Sequence, residues 1–241
     1  MHVQYFRYDG ARLLLDPFLS RRSTVIPVDA DERAAALQPT LRVLFNESER
    51  GGRKVYEVGA QVRAIGYALA AGGSAADELP EDLRGLAVRS GAGGRPEAFL
   101  DIADYVDTWE VDVYRKVVEA VPTAWELGRR FGRLHGMLSM YFGQDGIALE
   151  PEDLTDVERI GMYVADTHER GLCTWTLPTV VAECAQGLVM FQDDEALRGF
   201  FAEALGLGSC GHASWTTWLD LISQVLSEHL REGHGPVQYQ R

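Results

Sequence analysis

Apolar residues recur along most of this chain at intervals of three and four, the period of an amphipathic helix. Leu37, Leu41, Leu44 and Phe45 make one such stripe, bent at Pro39. Between Lys54 and Ala71, Val55, Val58, Val62, Ile65 and Leu69 make a cleaner one. Gly59 and Gly66 share its face, so a neighbouring helix is expected to cross closely there. Short helices are predicted over 80–88 and 97–106, and Asp107-Thr-Trp-Glu110 reads as a capping box opening another. Thr155-Asp-Val-Glu158 reads likewise, ahead of an apolar face of Leu154, Val157, Ile160, Gly161, Val164 and His168. Pro178 opens a helix of low polarity that holds Cys184 and Glu183, and Ser214 caps the last long helix. His229 falls inside that last helix's apolar stripe, and an irregular tail begins at Gly233.

Only the beginning departs from this period. HVQYFRY, the Asp9-Gly10 turn signal and ARLLL predict a β-hairpin over residues 2–15. The expected fold class is therefore mainly α, a multi-helix bundle of about nine or ten helices with a small N-terminal β-hairpin. Residues 1–241 read as a single helical domain with a flexible loop at 90–96 (SGAGGRP), where any boundary between lobes would fall.

The most informative stretch is Pro122–Phe142, predicted as one helix. Leu127, Phe131, Leu134, Leu138, Tyr141 and Phe142 share one face, while Glu126 and Arg130 are spaced as an i,i+4 ion pair on the other. Between them lie Gly128, Gly132, Gly136 and Ser139, with His135 at the apolar edge. Each glycine weakens a helix by roughly 1 kcal/mol relative to alanine, so something should offset the cost. A closely crossing helix would do so, and so would a flat ligand lying on bare backbone beside His135.

Composition narrows the partners. A net charge of −13 and a pI near 4.9 disfavour nucleic acid and anionic membranes. No apolar run approaches the length of a membrane span and the start lacks a signal-peptide pattern, so a cytoplasmic location is expected. Three cysteines make a disulfide framework unexpected. Cys210 and His212 with Cys173 and Cys184 would make four zinc ligands, but the spacing is not a paired CxxC pattern, and no metal is assigned.

The familiar nucleotide, zinc-protease, hydrolase and EF-hand signatures are absent. What remains is a trio of histidines, His135, His168 and His229, each on or beside the inward stripe of a different helix. Such histidines serve as core residues, general bases or ligands. The pattern singles out no cofactor; a haem-like group would suit an inter-helix pocket. Arg130-Phe-Gly-Arg-Leu-His135 resembles the Arg-x4-His signature of HEPN-type helical ribonucleases, with Phe131 where that family usually has a polar residue. The resemblance implies RNA cleavage by Arg130 and His135.

The leading expectation is a helical protein that binds a small apolar molecule or haem-like cofactor, with an enzymatic role open. Arg130, His135 and His168 would be its catalytic residues; Gly128, Gly132, Gly136, Ser139 and His229 would contact the ligand. The alternatives are a non-catalytic interaction or regulatory protein and the ribonuclease.

Overall fold

The computed structural model describes residues 7–20, 24–48, 52–91, 95–109, 116–117, 119–143, 145–149, 153–209 and 211–236. These residues are mainly helical, with no strand among them. Among the described residues, no helix is long and apolar enough to cross a membrane. Contacts cluster into two compact units, Met1–Glu126 and Leu127–Arg241, so the division falls at 126 and not in the loop at 90–96.

The first unit contains α1 (Asp9–Leu19), α2 (Ala30–Ser48), α3 (Val55–Ala71), α4 (Gly73–Asp77), α5 (Glu81–Arg89) and α6 (Pro96–Trp109). The expected hairpin is not there: residues 2–6 lie outside the described set, and Asp9-Gly10 begins α1 where a turn was expected. The reason is the spacing of Ala11, Leu14, Leu15 and Phe18, all buried, which only a helix places on one face. Gly10 serves close approach. A Cβ there would stand 2.9 Å from Val58 Cγ2, and the adjacent Ala11 N–H donates to Gln61 Oε1 at 3.0 Å.

The crossing expected at Gly59 and Gly66 is present, with α6 as the partner. Added Cβ atoms would meet Val106 Cγ1 at 3.0 Å and Leu100 Cδ2 at 2.7 Å. Asp107 is no cap: it sits inside α6, where it accepts from Arg63 on α3. Glu126, expected to pair with Arg130, is bound by Arg42 from α2. It is buried and takes a bidentate ion pair from Arg42 at 2.6 and 3.0 Å, while also accepting the Thr123 N–H. Burial pushes this carboxyl up, but Arg42 and Thr123 outweigh it and hold the group below its ordinary value.

The second unit begins within α7 (Ala124–Gly128) and contains α8 (Gly132–Phe142), α9 (Asp156–Glu169), α10 (Cys173–Phe191), α11 (Asp194–Arg198) and α12 (Trp215–Gly233). Its core joins Phe131, Phe191, Phe200, Phe201 and Trp215, whose rings pack with centroids 4.6–6.3 Å apart. The helix predicted over 122–142 is not continuous. A 3₁₀ turn at Arg129–Phe131 interrupts it, with Phe131 at φ −111°, ψ 33°.

Glu183 explains the interruption. This buried carboxylate on α10 accepts the N–H of Leu134 at 2.7 Å and of Arg133 at 3.3 Å. An N-terminus leaves amides without intrahelical partners and carries partial positive charge, so an anion there stabilises a fresh start. A neighbouring helix thus supplies the cap that α8 lacks in its own sequence.

Candidate metal centre

Thr155 and Glu158 form the expected capping box and start α9. Inward along this helix lie Ile160, Tyr163, Val164 and Thr167, whereas Val157 and His168 are exposed. His168 therefore leaves the apolar face predicted for it and occupies the last helical turn. Gly171, at φ +68°, turns the chain, and Gly171 N–H donates to the His168 carbonyl at 2.9 Å. The next helix begins at Cys173, ahead of the Pro178 start expected from sequence. This tight corner brings His168 and Cys173 together, with Cys173 Sγ 3.7 Å from His168 Nδ1.

The end of α12 completes the group. His229 Nε2 lies 3.4 Å from Cys173 Sγ, and His234 Nε2 lies 3.2 Å from His229 Nε2. Gly233 makes this possible, because a Cβ there would stand 3.3 Å from His229 Cε1. His234 follows α12 in extended conformation and returns its ring to the cluster. The imidazole planes tilt at 81°, 52° and 72° to one another. One donor atom from each of the four residues lies within 4.8 Å of every other.

Three of the six spacings, 3.7, 3.4 and 3.2 Å, lie close to the edges of a coordination tetrahedron, and the others are within 4.8 Å. Zinc bonds of about 2.3 Å to sulfur and 2.0–2.1 Å to nitrogen give edges of about 3.6 Å for S···N and 3.3 Å for N···N. Hydrogen bonding explains the group less well. His229 Nε2 faces both Cys173 Sγ and His234 Nε2, yet one ring nitrogen offers either a single proton or a single lone pair. Burial pushes the Cys173 thiol up and the His229 imidazole down, with the nearby His234 and His168 adding to the latter.

Among the described residues, Cys173, Cys184 and His212 of the set suggested by sequence form no cluster. Cys184 is buried beside Ser223, its thiol pushed up to about 12 chiefly by burial. His212 Nε2 instead pairs with Asp156 at 2.6 Å, and Cys210 lies outside the described residues. Of the trio of histidines, His168 and His229 come together and His135 does not join them. His135 is half-buried, with Nδ1 3.4 Å from Ser139 Oγ. Arg130 lies in the 3₁₀ turn.

Gly128 lies under Leu205, whose Cδ2 would be 3.1 Å from an added Cβ. Gly132 and Gly136 are exposed, and added Cβ atoms there would meet nothing within 4 Å. Among the described residues neither a crossing helix nor another group lies on that flank, so the structure shows no offset for the cost of these two glycines. Sequence reading missed Cys173 and His234 as partners of the two histidines. The available signal was a repeated interval: His168 and Cys173 are five residues apart, as are His229 and His234. Comparison with family models, curated proteins and solved structures finds no significant match to this chain.

Proposed function

We propose that this chain binds one transition-metal ion, zinc foremost, through His168 Nδ1, Cys173 Sγ, His229 Nε2 and His234 Nε2. The observation that carries the reading is the convergence of four donor atoms from two separate corners of the fold to mutual distances within 4.8 Å. One thiolate with three imidazoles suits a borderline-soft ion and disfavours magnesium or calcium, which prefer oxygen. Four protein ligands make a closed site, the hallmark of structural zinc rather than of hydrolytic zinc, which keeps a position for water. The metal's role is accordingly a tie that joins the corner between α9 and α10 to the end of α12.

Metal analysis of protein purified without a chelating tag should give close to one zinc per chain. Cobalt substitution should give the intense visible bands of a tetrahedral site, with thiolate charge transfer in the near ultraviolet. A protein that takes up neither metal in stoichiometric amount, and whose melting temperature is indifferent to chelator, would refute the assignment. The apolar or haem pocket at the glycine flank of α8 gains no support, since Gly132 and Gly136 border open space.

A further inference from the structure

We infer that a cleft beside this centre binds small monocarboxylates with an apolar body, and that the metal keeps the cleft in shape; the inference rests on the metal-binding reading. The cleft has a volume of about 400 Å³, within the range of small-molecule sites. Pro178, Leu230 and Pro236 give its apolar lining, and Thr174, Arg231 and His234 its polar lining. Thr174 follows the metal ligand Cys173 directly, and Leu230 follows His229. Two ligands thus sit next to lining residues in the chain, and a third, His234, lines the cleft itself.

The charge points to an anion. Arg231 is exposed, with no ion pair or side-chain hydrogen bond among the described residues. Among the described residues, no carboxylate side chain lines the cleft. A guanidinium offers a two-pronged match to a carboxylate, and the Thr174 hydroxyl can donate a further hydrogen bond. The chain's charge of −13 repels anions at a distance, but salt screens that field beyond about 8 Å under physiological conditions. An aromatic or branched body then lies on the proline and leucine surfaces. The wall at His234 and Pro236 belongs to the segment after α12, where ligation of His234 is the tie. Removing the metal should release that wall.

Benzoate serves as probe, with acetate as a control that has the charge and lacks the body. Cobalt-loaded protein is first shown to carry its tetrahedral spectrum. Ligand-detected NMR titrations then compare zinc-loaded wild type, chelator-treated wild type and zinc-loaded Arg231→Ala. Benzoate should bind zinc-loaded wild type saturably and more tightly than acetate. It should bind Arg231→Ala at least about tenfold more weakly, the loss of one charge-assisted contact, and metal-free wild type more weakly through release of the His234 wall. Arg231→Ala should leave the cobalt spectrum intact, because Arg231 is not a ligand.

If the cobalt spectrum forms and benzoate does not bind, or binds equally without metal or without Arg231, the inference is overturned and the metal centre stands. Where no cobalt spectrum forms, the metal reading fails and this inference falls with it.

Discussion

Replacing Glu183 by glutamine tests most directly how the second unit is held together. The carboxylate is 8% exposed and accepts two amides at the start of α8, at 2.7 Å from Leu134 and 3.3 Å from Arg133. Glutamine keeps the shape. It retains one acceptor oxygen, removes the charge and turns an NH₂ donor toward an N–H donor. The short bond to the charged group contributes about 1.5–3 kcal/mol, and charge at a helix N-terminus about 0.3–1 kcal/mol. The oxygen that remains still accepts one amide as a neutral group, so the expected net loss is about 2–3 kcal/mol.

In urea, with an m-value of about 1–3 kcal/mol/M, that loss lowers the unfolding midpoint of the second unit by about 0.7–3 M. Unfolding should be followed by tryptophan emission from Trp215 and Trp218, both buried in this unit, with m checked for constancy. A loss below about 0.5 kcal/mol would refute the reasoning, since that is the usual effect of a substitution away from any such feature. The interruption at Phe131 would then need a cause other than the cap.

Four further outcomes follow from particular contacts. Cys173→Ser should abolish thiolate charge transfer in the cobalt protein and remove the stabilisation that zinc gives the wild type, about 4 kcal/mol at a thousandfold excess over Kd; a retained charge-transfer band would place another thiol at the metal. Gly233→Val should weaken cobalt binding while leaving helix content unchanged by circular dichroism, because its side chain displaces the His229 ring. Gly136→Ala should raise stability by about 0.5–1 kcal/mol, since the position is helical and open; destabilisation would mean that something occupies that flank.

The fourth concerns acid. Glu126 has its folded-state pKa lowered, so its contribution is present above the unfolded value of about 4.3 and is lost as pH falls through the folded value. Urea midpoints measured from about pH 7 to pH 3 should fall over that window in wild type. Arg42→Ala should already be less stable at neutral pH, by about 3–5 kcal/mol, because it leaves a buried carboxylate without its partner.

Helical periodicity alone determined a good part of this protein. The mainly helical class, the inward faces of α3 and α12, the capping box at Thr155 and the close crossing at Gly59 and Gly66 were all legible, because each depends on spacing within one segment. Where a competing signal was also local, spacing won: the Asp9-Gly10 turn signal yielded to Ala11, Leu14, Leu15 and Phe18. The tertiary structure decided what depends on residues far apart in the chain. Glu183 reaches across 49 positions to Leu134 and restarts a helix that looked continuous, and Arg42 reaches across 84 to bind Glu126.

The candidate site is of the same kind. His168 and His229 stood out as histidines of interest, but nothing near either one named its partners. Cys173 and His229 are 56 positions apart, and a distance of a few ångströms between such residues is set by how helices fold back on one another. Periodicity places a residue on a face; only packing brings two faces together.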